Sequence, residues 1–412
     1  MMKFKKFASI MLVAVMTVAT LAGCGSKTTE SPAGQEAKPE ATGEATPEGE
    51  AADTEASSGE TFKIGGIGPT TGGAAVYGKA VANGAQIAVD EINAAGGING
   101  FQVELKFEDD EHDPEKAVNA YNALKDWGMQ ALLGTVTSGP CIAVVDKTAQ
   151  DNMYQLTPSG TAVDAIKHDN AFRVCFSDPN QGAASAAYIA DQNLASKIAV
   201  IYDSSDTYST GIYETFLAEA TAKGLEIVAA EAFTAESKND FSVQLQKAKD
   251  AEAELVFLPF YYQEASLVLK QAHEMGYAPT FFGCDGMDGI LAVDKFDTSL
   301  ADGVKFLAPF SSTAEDELTV NFVAAYQAAH NEVPNQFAAD AYDGIYIMKA
   351  AMEHANVTPE MTVSDICEAM KAAMLEIKVN GVTAKELTWD ASGEPQKEPM
   401  VLEIRDGAYT VL

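Results

Sequence analysis

Two short clusters of hydroxyl and glycine residues are the places in this chain best suited to hold a small anion: Thr135-Val136-Thr137-Ser138-Gly139-Pro140 and Thr157-Pro158-Ser159-Gly160-Thr161. Each follows an apolar run of strand character. A strand end leading into a helix N-terminus offers hydroxyls and backbone N–H groups to a carboxylate. Taken singly, each cluster is more often a helix cap. A complementary set is aromatic and acidic: Tyr77, Tyr208, the pair Tyr261-Tyr262, and Asp285 within Gly283-Cys284-Asp285-Gly286. An α-amino acid needs donors for its carboxylate, a carboxylate or carbonyls for its ammonium, and an apolar wall for its side chain. The chain contains all of these parts, although Asp285 alone reads as a turn residue and each tyrosine as a packing residue.

Other chemistries lack their parts. The stretch Gly65-Gly66-Ile67-Gly68-Pro69-Thr70-Thr71-Gly72-Gly73 follows a strand but places Thr71 at the third glycine of a dinucleotide fingerprint, and Pro69 removes a donor. No Walker motif is present. The five histidines are scattered, and neither His-Glu-x-x-His nor paired Cys-x-x-Cys spacing occurs, so no metal site or cofactor is expected. The run Glu108-Asp109-Asp110-Glu111-His112-Asp113 lacks the glycine and spacing of a calcium loop and reads as a solvated turn. Gly-x-Ser-x-Gly is absent, and Cys141, Cys175, Cys284 and Cys367 have no basic neighbour in sequence, so nothing asks for an enzyme.

These residues need a scaffold of alternating strands and helices. Strands are expected at Phe62–Ile67, Val103–Phe107, Ala131–Gly134, Lys197–Tyr202, Glu226–Val228, Leu255–Leu258 and Thr280–Gly283. Helices are expected over Tyr77–Ala95, Ala117–Trp127, Tyr213–Lys223 and Ala265–Met275; in the first, Val81, Ala85, Ala88 and Ile92 share one face and Gly96-Gly97 stop it. Repeated strand–helix units imply an α/β fold with parallel sheets, and about 350 residues of it exceed one core, so two doubly wound lobes are expected. Acids outnumber bases 60 to 27, a formal charge of −33. That excess excludes nucleic acid and disfavours anionic lipid as partners of the protein surface.

The N-terminus reads as an address. Lys3, Lys5 and Lys6 precede an apolar run, Phe7–Leu21, of about 15 residues, short of the roughly 20 needed to span a bilayer. Residues 1–23 therefore read as a signal peptide. Leu21-Ala22-Gly23-Cys24 resembles the bacterial lipobox, which implies diacylated Cys24 as the mature N-terminus, anchored to the membrane outside the cytoplasm. Residues 24–60 carry nine acids and no aromatic or branched aliphatic residue, and read as a disordered tether.

Ala75-Val76-Tyr77-Gly78, Asp90-Glu91-Ile92-Asn93-Ala94-Ala95-Gly96-Gly97-Ile98-Asn99-Gly100, Asp109-Asp110, Thr157-Pro158-Ser159 and Tyr208-Ser209-x-Gly211 resemble the branched-chain amino acid binding proteins of ABC importers, with the type I periplasmic-binding-protein fold. The resemblance runs from about Lys63 to beyond Trp389. It implies two lobes, 61–180 with 310–389 and 181–309 with 390–412, joined by a three-strand hinge with crossovers near Asn180, Pro309 and Trp389. It also implies a monomer that encloses one amino acid by hinge closure and delivers it to permease subunits. Carried over by position, Ser138, Ser159 and Thr161, with the Gly160 backbone beside them, correspond to ligands of the carboxylate and ammonium. Tyr77 and Phe337 correspond to walls of the side-chain pocket, Tyr208 and Tyr261 to closing aromatics, and Asp285 to the acid that pairs with the ammonium. The best-known members have Glu at the position of Asp285, and a disulfide whose two positions are here His112 and Thr137, so that bridge cannot form. Because relatives also take small amides and aromatic acids, the fold alone does not name the ligand, and an alternative reading keeps the fold for a sensory protein that presents its ligand-loaded form to a signalling receptor.

Overall fold

A computed structural model describes residues 60–412. The signal peptide, Cys24 and the acidic segment up to residue 59 lie outside the described residues. Twelve strands and ten helices follow in order: β1 Thr61–Gly68, α1 Ala75–Ala94, β2 Gln102–Asp109, α2 Pro114–Trp127, β3 Ala131–Gly134, α3 Ser138–Asp151, β4 Tyr154–Thr157, β5 Ala171–Arg173, α4 Asp178–Asp191, β6 Lys197–Asp203, α5 Thr207–Lys223, β7 Glu226–Phe233, α6 Ser242–Asp250, β8 Leu255–Leu258, α7 Tyr262–Glu274, β9 Thr280–Gly283, β10 Lys305–Ala308, α8 Glu317–His330, α9 Gln336–His354, α10 Val363–Met374, β11 Met400–Arg405 and β12 Ala408–Val411. The expected α/β class holds.

The strands form two sheets. The first is wholly parallel, in the order β2-β1-β3-β4-β5; the second runs β12-β11-β10-β9-β8-β6-β7, parallel from β7 to β10 and antiparallel at β11 and β12. The short strands β3, β4 and β8 are buried at every residue. That is the pattern of parallel strands covered by helices on both faces, and it makes them legible as continuous apolar runs. Helix α9 packs across α1, and α4 packs against α5. The chain thus leaves the first sheet between Arg173 and Asp178, just ahead of Asn180, and returns to its helices between Ala308 and Glu317. It passes to the second sheet again after the isolated bridge Trp389↔Pro395.

Glycines at the end of β1 answer to packing. A Cβ on Gly66 would stand 2.2 Å from the Phe107 ring, and one on Gly68 would stand 2.3 Å from Val136 Cγ2. The glycine-rich stretch therefore permits close side-chain approach over β1. The acidic run after β2 differs from the solvated turn expected of it: Asp110 is fully buried and its carboxylate accepts the His112 N–H at 2.9 Å, while Asp109 accepts the Thr70 N–H at 2.8 Å. Asp113 caps α2 by accepting the N–H groups of Glu115 and Lys116. The reason is geometric: the run turns back over the end of β1, whose loop amides face it, so local acids become acceptors for those amides. Among the described residues no helix is long and apolar enough to cross a membrane, and no group of His, Cys, Asp and Glu is arranged to hold a metal ion.

Candidate functional site

In both sheets the strand order reverses, at β1/β3 in the first and β6/β8 in the second, and loops at the carboxyl ends of such strands are where open α/β sheets form crevices. The segments after β1, β3 and β4 carry Tyr77 in the first turn of α1, Ser138 at the start of α3 and the 159–161 loop; those after β6, β8 and β9 carry Tyr208 in α5, Tyr261 and Asp285. A small, tightly closed cavity lies among them, lined by Tyr77, Val136, Thr137, Ser138, Ser159, Thr161, Tyr208, Tyr261, Asp285, Gly286 and Phe337. Eight of the nine positions singled out from sequence are in that lining. Gly160 is not: its N–H donates to Thr157 Oγ1 at 2.7 Å and its carbonyl accepts from Arg173 at 3.0 Å, so it shapes the loop instead of lining the space.

The face from the first sheet is rich in donors. Ser138 is the first residue of α3, and its Oγ accepts the Ala162 N–H at 3.1 Å, which leaves the hydroxyl hydrogen available; Thr161 Oγ1 is 3.4 Å away. Ser159 spends its hydroxyl hydrogen on the Val136 carbonyl at 2.7 Å. Tyr208 and Phe337 sit in the first turns of α5 and α9, and Tyr261 immediately precedes α7, so several helix N-termini converge on the cavity and favour negative charge in it.

The opposite face supplies the acid. Asp285 is 5% exposed, and one carboxylate oxygen accepts from Tyr208 Oη at 2.6 Å. Burial lifts its carboxyl to about 6, against the lowering effect of the Tyr208 hydrogen bond. Asp178, the first residue of α4, is buried beside Thr161 and is held well above the ordinary carboxylate range, by burial first and by Asp285 in addition. The two buried carboxyls oppose each other's ionisation.

Aromatic rings close the space. Tyr77 Oη donates to the Gly286 carbonyl at 2.6 Å, so a residue of α1 bonds directly to the loop after β9. Its ring stands 4.2 Å from Phe337, and Tyr261 stacks on Tyr208 at 4.9 Å. Sequence reasoning missed Asp178, Gln181 and Gln336. Gln181 Oε1 accepts the Asp285 N–H at 3.0 Å, and Gln336 Nε2 donates to the Asp285 carbonyl at 2.6 Å, so helices α4 and α9 fix Asp285 from either side. The Asp178-Pro179 pair is a helix-start signal that would have pointed to the first two of these.

His112 and Thr137 are in contact, Nδ1 to Oγ1 at 2.9 Å, and His112 meets the Tyr261 ring edge-on at 5.5 Å. Burial, aided by Lys238, holds the His112 ring below its ordinary pKa. Beside it opens a wider cleft, bordered by Glu111, Asp203, Lys238 and Glu264. Cys141, Cys175, Cys284 and Cys367 are buried free thiols.

This architecture, two parallel sheets meeting loop to loop over a small polar and aromatic cavity, defines a solute-binding protein. Residues 61–408 match the family model described as periplasmic binding protein, and the chain belongs to that family. It is 31% identical over 341 residues to the Leu/Ile/Val-binding protein BraC3 of Rhizobium johnstonii, covering 80% of this chain and 88% of that one. It is 28% identical to the leucine-, isoleucine-, valine-, threonine- and alanine-binding protein of Pseudomonas aeruginosa, covering 77% and 84%. Among solved structures, the branched-chain amino acid transporter substrate-binding protein LivJ of Streptococcus pneumoniae, in complex with isoleucine, is 31% identical with a TM-score of 0.78, covering 86% of this chain and 99% of that one. The family consists of solute-binding proteins of ABC transporters, not enzymes, and its members work outside the cytoplasm.

Proposed function

We propose that the protein captures a branched-chain α-amino acid in the cavity between its two sheets and delivers it to the permease subunits of an ABC importer. The observation that carries this reading is the polarity of the cavity. Hydroxyls and the N-terminus of α3 stand on the side of Ser138 and Thr161, an acid stands at Asp285, and the apolar faces of Tyr77, Tyr261 and Phe337 line the space with them. The carboxylate is assigned to Ser138 and Thr161, the ammonium to Asp285 and the Ser159–Thr161 segment, and the side chain to the aromatic walls. Tyr208 holds Asp285 and closes over the ligand. The lobes are residues 61–180 with 310–389 and 181–309 with 390–412, the first boundary falling in the opening turn of α4. Ligand contacts from both lobes stabilise the closed form, which the permease distinguishes from the open one.

The protein is further proposed to be a monomer held to the membrane by diacylated Cys24, with the acidic segment to residue 60 as its tether. Labelling cells with a palmitate analogue tests this: the label enters the wild type and is lost in Cys24→Ala. The ligand is tested by a thermal-shift screen of the amino acids, small amides and aromatic acids. At 100 times its dissociation constant a ligand adds about 2.7 kcal/mol of stability. A selective rise with leucine, isoleucine or valine is expected; a rise only with an amide or an aromatic acid would overturn the ligand and keep the fold.

A further inference from the structure

Arg173 is the bulkiest fully buried side chain among the described residues, yet it does not line the cavity. Its guanidinium lies behind the 159–162 loop and binds three consecutive carbonyls: Nη1 donates to Gly160 at 3.0 Å and to Thr161 at 2.5 Å, and Nη2 donates to Ala162 at 3.0 Å. A trans peptide points its N–H away from its C=O. A Gly160 carbonyl turned toward Arg173 therefore turns the Thr161 N–H toward the cavity that Thr161 lines. Thr161 is 1% exposed, and its N–H donates to no acceptor among the described residues. A buried donor without a partner is uncommon and is suited to an incoming acceptor.

The same residue is fixed to the chain's last passage between the sheets. The Arg173 N–H donates to the Gly393 carbonyl at 3.2 Å, its carbonyl accepts from Trp389 Nε1 at 2.8 Å, and Nη2 is 3.3 Å from Glu394 Oε1. The planar fork of an arginine spreads its donors over successive carbonyls in a fixed geometry, which the single ammonium of a lysine does not reproduce. Its charge also polarises the Gly160–Thr161 peptide, whose N–H faces the cavity.

We propose that Arg173 is a positioning residue for the ligand's carboxylate: without touching the ligand, it sets the Gly160–Thr161 peptide with the Thr161 N–H toward the cavity and places a positive charge behind it. This rests on the amino-acid reading above. The test is titration calorimetry of the full-length protein with leucine and with leucinamide, which keeps the ammonium and side chain but has no carboxylate. Arg173→Gln is expected to weaken leucine about tenfold or more while changing leucinamide by less than about threefold, with Arg173→Lys between the wild type and Gln. A merely structural role would weaken both ligands alike, and equal losses, or no loss, would overturn the proposal. Should Arg173→Gln fail to fold, Glu394→Gln asks the question with opposite sign. Freeing the guanidinium of its counter-charge is expected to tighten leucine relative to leucinamide, and an unchanged ratio overturns the assignment. A wild type that binds neither leucine nor leucinamide defeats the amino-acid reading by itself; the ratio is then read with benzoate and benzamide. A wild type indifferent to the carboxylate in that pair defeats the Arg173 assignment too.

Discussion

Asp285 is held on three sides, by Tyr208 at its carboxylate, Gln181 at its N–H and Gln336 at its carbonyl. Such fixing keeps a short acid in place. Truncating one partner of a desolvated charge pair costs about 2–5 kcal/mol. Asp285→Ala is therefore expected to weaken leucine binding by that amount, read by titration calorimetry, and an unchanged affinity would remove Asp285 from the ammonium site. Tyr77→Phe isolates a second contribution. The variant keeps the ring against Phe337 but leaves the buried Gly286 carbonyl without the hydroxyl at 2.6 Å, a loss of about 1–3 kcal/mol. Because this bond joins α1 to the loop after β9, the cost should fall on ligand affinity and on stability together, measured by calorimetry and by urea denaturation.

At the scale of elements, what the sequence discloses depends on whether a signal is local. The buried strands β3 and β8 and the hydroxyl clusters that follow β3 and β4 are local, and they are legible as short apolar runs and as groups of Ser, Thr and Gly. The start of α5 was not: a helix was expected from Tyr213, but Asp206 caps it by accepting the Tyr208 N–H, so its first turn carries Tyr208 into the cavity. Strand β7 runs five residues past the expected Val228 as a half-buried edge, where polar residues interrupt the apolar signal. Helix α9 was missed because it is buried on nearly every side, including Asp340 and Asp343. The partners of those acids, Lys397 and Thr383, lie 57 and 40 residues away. The same helix crosses α1 at Gly84, where an added Cβ would stand 2.1 Å from the Ala338 carbonyl oxygen. Two backbones in contact cannot yield as a flexible side chain can. Gly84→Ala is expected to destabilise the protein by about 1–3 kcal/mol in urea denaturation, despite alanine's better helix propensity, by forcing α1 and α9 apart.

Across the whole molecule, the buried carboxyls make stability and ligand binding respond to pH in opposite directions. Burial raises Asp206, Asp285 and Asp288 to about 6 and Asp110 to about 7. In the unfolded chain these groups release their protons near the ordinary value of about 4. Between roughly pH 4 and 7 the folded state thus binds more protons than the unfolded one, and stability falls as pH rises through that window. The ligand-free melting temperature is expected to be higher at pH 5 than at pH 8, as scanning calorimetry would record. Amino-acid binding has the opposite sign, because the ammonium requires Asp285 ionised and the ligand must expel its proton below about pH 6. The melting-temperature increment from leucine should therefore shrink between pH 7 and pH 5 while the ligand-free temperature climbs. Asp285→Asn separates the two effects. It removes a partner for the ammonium and, with it, the pH dependence of the increment. It leaves Asp110, Asp206 and Asp288 to raise the ligand-free temperature on acidification. A leucine increment in the wild type that stays constant from pH 5 to pH 8 would be incompatible with Asp285 as the group that receives the ammonium.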